Sequence, residues 1–145
     1  SDGDIWVRAA IARGLGERLG REARSLLLNL MHDKVGVVQI AALETIARIK
    51  DREVISEVKR MLESSDPDVV KVTIATLGEL GNSEVGPTIV PYLDNPDWRL
   101  RVVSAKILGK IRYGPAIEKL KTMAKEDTDN LVRQSAQFAV EQITR

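Results

Sequence analysis

Hydrophobic residues in this 145-residue chain obey two periods at once. Leu100, Val103, Ile107, Leu108 and Ile111 return every three or four positions, which lays them on one face of an amphipathic helix. The stretch that carries them then returns as a unit. DPDVVKVTIATLG at 66–78 and DWRLRVVSAKILG at 97–109 are offset by 31 residues, and DIWVRAAIARGLG at 4–16, closing on Leu15 and Gly16, stands two such steps before the first of them. VGVVQIAALETIA at 35–47 keeps the aliphatic positions Val38 and Ile46 but loses the opening Asp and closing Gly. DNLVRQSAQFAVE at 129–141 follows the fourth copy by 32 residues, so one residue is inserted there.

A second set of columns runs at the same step. Ala23, Val54, Val85 and Ala116 align, as do Leu27, Val58, Ile89 and Leu120, and then Leu30, Met61, Tyr92 and Met123. Each unit therefore reads as two helices with a shared apolar seam. The opening Asp residues are expected as N-caps, and the Gly after Leu77 and Leu108 is expected to loosen the first helix near its end. Sustained alternation of apolar and polar residues is absent, so the expected fold is all-α. A repeat of this length cannot bury its apolar face alone, and stacking of neighbours builds the core of a solenoid.

An Asp-Pro-x-Val entry, small residues in mid-helix and a Leu-Gly exit, clearest in the third and fourth copies, resemble the HEAT repeats. The likeness is to the short bacterial and archaeal type also found in phycobilisome lyases. It implies a right-handed α-solenoid of about four helical pairs plus a terminal helix. The expected bounds are 4–32, 33–63, 64–94 and 95–125 with a half repeat at 126–145, forming one domain within 1–145 of a longer parent protein. HEAT-type di-iron hydroxylases use His-Glu pairs as metal ligands, whereas the single histidine here, His32, is followed by Asp33.

Composition narrows the functions available. Without cysteine the chain has no disulfide, thiolate metal site or Cys/His pair, and it is expected to be cytoplasmic. No apolar run reaches the roughly 20 residues needed to cross a bilayer. His32 falls at the end of a second helix, where an imidazole suits the helix C-terminus. Asp66 and Asp68 flank Pro67 as a helix start and lack calcium-loop spacing. Gly14, Gly16 and Gly20 lack the context of a phosphate loop and read as repeat turns. No cofactor and no metal is expected, and the chain reads as a non-enzyme.

Charge is uneven although the net value is only +1. The third unit holds five acids and one base. The fourth holds two acids and eight bases, namely Arg99, Arg101, Lys106, Lys110, Arg112, Lys119, Lys121 and Lys125. They read as a solvated helix surface or as a docking patch for an acidic protein or a phosphate backbone. Asp4 with Arg8, Asp97 with Arg101, and Asp129 with Arg133 stand four residues apart, and are expected to pair along a helix or ladder between units.

A protein-interaction scaffold is the expected function. The resemblance implies a partner protein or peptide on the concave face, where the columns Leu28, Lys59, Val90, Lys121 and Asn29, Arg60, Pro91, Thr122 fall. Lys59, Arg60, Val90 and Lys121 are the candidate contacts there, with Pro91 kinking its helix. Trp98, Arg99 and Tyr113 form a second candidate ridge at the turns, because Trp, Tyr and Arg are enriched at binding hot spots. A nucleic-acid module is an alternative that the net charge disfavours, and a lyase-type subunit acting with a partner is another.

Overall fold

The computed structural model describes the backbone of residues 2–18 and 23–145 and the side chains of 3–14 and 23–145. Gly14 and Gly16, expected at a turn, lie within the first helix (Asp2–Arg18), while Gly20 and the side chain of Leu15 lie outside the described residues. The described residues hold nine α-helices and no strand: α1 (Asp2–Arg18), α2 (Arg24–Met31), α3 (Gly36–Ile49), α4 (Ile55–Arg60), α5 (Pro67–Leu80), α6 (Gly86–Ile89), α7 (Trp98–Lys110), α8 (Ile117–Glu126) and α9 (Asn130–Thr144). The odd-numbered ones are the first helices of the repeats, and the even-numbered ones are the second.

Solenoid contacts run only between neighbours. The chain divides into two compact units, 1–80 and 81–145, and the division falls inside the expected third repeat, between α5 and α6. In the first unit α1 packs on α3 and α3 on α5, with α2 against α3 and α4 against α5. In the second, α7 and α8 both pack on α9, and α6 with the 3-10 segment Val90–Asp94 lies against α7.

The columns explain these contacts. Ala23, Val54, Val85 and Ala116 are buried, as are Leu27, Val58, Ile89 and Leu120. Met61 and Met123 of the third column are buried, while Leu30 and Tyr92 are half-buried. On the first helices Val38, Val69, Leu100 and Val132 are buried, but Val7 of the same column is 57% exposed. Val7 stands on the side of α1 turned away from α3, and no described residue covers it. Each fully buried aliphatic side chain, such as Leu43 or Leu77 in the first unit and Leu108 or Leu120 in the second, contributes about 1.5–3 kcal/mol.

Local signals succeed at most helix starts. Asp66, Asp97 and Asp129 side chains accept the backbone N–H of Asp68, Arg99 and Val132 at 2.9, 2.9 and 3.0 Å. Asp4 does not cap, because α1 already begins at Asp2. Gly109 also differs from expectation. It lies within α7, and a Cβ there would stand 2.7 Å from the backbone of Ala139, so it allows α7 and α9 to approach closely rather than loosening a helix end. After α3 and α7 the chain turns through the left-handed region at Lys50 (φ 54°) and Arg112 (φ 53°). There Asp51 and Tyr113 donate back to the carbonyls of Ile46 and Leu108, in the manner of a Schellman cap.

Second helices tighten into 3-10 geometry at Met61–Glu63 and at Val90–Asp94. Pro91 sits in the latter segment, but the former has no proline, so Pro91 is not the sole cause of the tightening.

Candidate interaction site

The turns between repeats are built on one recurring position. Asp33, Ser64, Asn95 and Asp127 each accept the backbone N–H two residues onward, at 2.9, 3.1, 2.9 and 2.9 Å. Such side-chain turns hold the chain's entry into the next helix. Two of these acids also receive an arginine fork from the preceding repeat. Arg8 Nε and Nη2 donate to Asp33 Oδ2 and Oδ1 at 2.7 and 3.2 Å, and Arg101 does the same to Asp127 at 3.0 and 3.1 Å. Arg101 and Arg133 each donate to a carbonyl six residues back, Asn95 O and Asp127 O, and Gln39 fills that role toward Asp33 O at 2.6 Å.

The expected pairing of Asp97 with Arg101 is therefore replaced. Asp97 takes Arg99, its neighbour two residues on, at 2.8 Å, and Arg101 reaches forward to Asp127. Arg133 likewise donates to Asn130 Oδ1 at 3.3 Å. The forks leave their mark on acidity. Arg8's hydrogen bonds and charge hold the Asp33 carboxyl below the usual range despite some desolvation. Burial alone would raise Asp127, but hydrogen bonds from Arg101 and from the Asp129 N–H outweigh it and leave the carboxyl low. Asp97 is lowered by Arg99 in the same way.

A parallel slot joins the turns inside repeats. Arg24 donates to Asp51 Oδ2 and Oδ1 at 2.7 and 2.8 Å, and its third nitrogen reaches Glu53 at 2.8 Å, so the guanidinium is held more firmly protonated than usual. Two repeat steps later Gly86 and Tyr113 occupy the equivalent positions. A Cβ at Gly86 would overlap the Tyr113 ring, so the aromatic fills the space that the missing side chain leaves.

These contacts dissolve much of the basic surplus in the fourth repeat. Lys119 Nζ lies against both carboxylate oxygens of Asp94, Arg101 is held by Asp127, Arg99 by Asp97, and Lys121 stands 3.5 Å from Glu118. At least four of the eight bases thus have an acid beside them.

Two of these pairs, Arg101–Asp127 and Lys119–Asp94, wall an open cleft of about 650 Å³ on the second unit. Leu93 and Met123 form its apolar floor, Arg101–Asp127 and Lys119–Asp94 its sides, and Asn95, Thr122 and Thr128 offer groups that can donate or accept hydrogen bonds. Glu118 and Glu126 of α8 stand at its edge.

Of the residues singled out from the sequence, Lys59 is half-buried and Arg60 exposed, both on α4 of the first unit. Val90 is half-buried, and Lys121 is exposed, but neither lines the cleft. Thr122, from the second groove column, does. Trp98 is 43% exposed at the start of α7, whereas Tyr113 lies past the end of that helix and is half-buried against Gly86. Thirteen helical residues span about 18 Å, so Trp98 and Tyr113 do not form one ridge. Arg99, beside Trp98, is tied to Asp97. His32 closes α2 as its C-cap, exposed, as the sequence suggested.

Asp94, Asn95 and Asp127 went unnoticed in the sequence as lining residues. A signal for the last was present: Asp33 and Asp127 recur 25 and 26 residues after Arg8 and Arg101, and where that arginine column holds Gln39 and Val70 the acid becomes Ser64 and Asn95.

Paired helices, stacked columns and capped turns repeat through both units. A family model described as HEAT repeats matches residues 1–75 and again 58–141. The chain belongs to the HEAT repeats. Its fold is accordingly an all-α solenoid type. Among curated proteins, this HEAT-repeat chain is similar to the phycocyanobilin lyase subunit alpha of Nostoc sp. strain PCC 7120, with 24% identity over 130 residues, covering 81% of this chain and 47% of that protein. It thus spans about half the length of that relative. Among solved structures it is similar to an engineered protein, a Northeast Structural Genomics Consortium target. That match covers 94% of this chain and 70% of the other, at 22% identity and a TM-score of 0.62, and is a likeness of fold. No helix among the described residues is long and apolar enough to cross a membrane.

Proposed function

We propose that this HEAT-repeat chain is a non-catalytic interaction scaffold that holds an extended segment of a partner protein in the cleft of its second unit. The cleft carries the reading: an apolar floor at Leu93 and Met123 beside side chains fastened by ion pairs. Walls already held in place lose little freedom when a ligand arrives, and Asn95, Thr122 and Thr128 suit a peptide backbone. Lys59 and Arg60 remain candidate contacts on the first unit in their own right, and exposed Trp98 remains one on the second. Tyr113 is better read as a packing residue of its turn.

Pairing of the basic residues argues against nucleic acid, because a side chain bound to a carboxylate releases few phosphate counterions. A lyase-subunit role rests on the name of the Nostoc relative, and a change in phycocyanobilin absorbance on mixing with the chain would favour it.

Peptide display against the whole chain tests the scaffold reading. Selected peptides should lose at least about tenfold in affinity, or 1.4 kcal/mol, when exposed Thr122 is changed to Arg to block the cleft. Binders indifferent to Thr122→Arg but lost on Lys59→Ala with Arg60→Ala would move the site to the first unit. Binders indifferent to all three changes would end the proposal.

A further inference from the structure

The cleft of the second unit keeps a surplus of acid that its ion pairs do not cancel. Asp94, Glu118, Glu126 and Asp127 line it, against Arg101 and Lys119. Both bases are occupied, by Asp127 and Asp94, so the acids left over are Glu118 and Glu126 of α8. Lys121 stands 3.5 Å from Glu118, but the two side chains are 52% and 88% exposed, and a surface contact of that kind holds little. Glu126 is exposed, and no base is bonded to it among the described residues. Lys121 and Lys125 lie on α8 outside the lining.

Spacing makes this surplus selective. Glu118, Thr122 and Glu126 follow one another every four residues, which sets them along one face of α8. From one glutamate to the other the helix rises about 12 Å. In an extended chain the side chains at i, i+2 and i+4 share a face, and at roughly 3.3 Å per residue i stands about 13 Å from i+4. A peptide lying along α8 therefore brings its outer two side chains to Glu118 and Glu126, and its middle one to the floor at Leu93 and Met123. Resting on the scaffold reading above, we infer that the cleft selects a basic segment of its partner, with two Lys or Arg residues four apart and an aliphatic residue midway. An acidic or phosphorylated segment is repelled by the same two glutamates, and the bases of the cleft are already bonded to carboxylates.

A random library of short peptides displayed on phage and selected on the whole chain tests this. Binders that Thr122→Arg blocks should carry Lys or Arg at two positions four apart, with an aliphatic residue between them. For one such peptide, Glu126→Lys should weaken binding at least about tenfold, and reversing one of the two peptide bases to Glu should restore it to within about threefold of the parent pair. Glu126 is exposed, so unchanged far-ultraviolet circular dichroism would show that the variant still folds. Thr122-sensitive binders without paired bases, equal binding to the Glu126→Lys chain, or a loss that neither reversal restores would each overturn the inference and leave the scaffold reading standing. A library that yields no Thr122-sensitive binder ends this inference together with the cleft reading beneath it.

Discussion

α1 and α9 hold the same place in their respective repeats, each being the first helix of a pair. Val7 and Val132 are column mates, yet Val7 is 57% exposed and Val132 fully buried. α9 lies against α7 and α8, so its Val132, Ser135, Ala136, Ala139 and Val140 are buried, while the side it shows to solvent carries Gln134, Gln137 and Glu141 beside Leu131 and Phe138. α1 has a neighbour at α3, and the stripe it turns outward is Val7, Ala10 and Ile11. The difference shows that a repeat residue owes its stabilising contribution to the neighbour that covers it rather than to its type. It also separates a capped helix from one whose outer face retains a stacking sequence.

The largest expected effect strikes at the approach of α7 to α9. A side chain at Gly109 would meet the backbone of Ala139, which cannot swing aside, so Gly109→Val should cost about 3 kcal/mol in urea unfolding. A cost near zero would show that these helices do not pack so closely. Next, Val132→Ala should cost about 2 kcal/mol, while Val7→Ala should stay within about 0.5 kcal/mol in dilute solution. Equal costs at the two positions would erase the comparison.

The smallest expected effect compares two arginine forks, Arg8–Asp33 of the first unit and Arg101–Asp127 of the second. Asp33 and Asp127 have carboxyls lowered in the folded state, so their contribution is present above the unfolded value of about 3.9 and is lost as pH falls through the folded values. Thermal melts between about pH 5 and pH 2 should therefore fall more steeply for the parent chain than for Asp33→Asn or Asp127→Asn, which keep the turn acceptor but lose the titration. Parallel curves would mean that the forks contribute no pH-dependent stability.

Much of the fold was legible because repetition multiplies a weak signal. One column of aliphatics is ambiguous, but Leu27, Val58, Ile89 and Leu120 at a constant step require one seam, and all four are buried. The lining of the cleft was less legible. Thr122 was in view as a groove position, whereas Asp94 and Asp127 are drawn to the cleft by Lys119 and Arg101 across 25 and 26 residues. Trp98 and Tyr113 looked like neighbours in one repeat because sequence distance hides the length of the helix between them.

The sequence by itself determined the helical pairs, their spacing, their seams and most of the Asp caps, since these depend on local propensity and on periodicity that any helix of 3.6 residues per turn must express. Only the tertiary structure decided the partners of the charges, the purpose of Gly86 and Gly109, and which member of a column is exposed. Those outcomes depend on what stands opposite each residue: a carboxylate from the next turn, a tyrosine ring, the backbone of Ala139, or, at Val7, solvent.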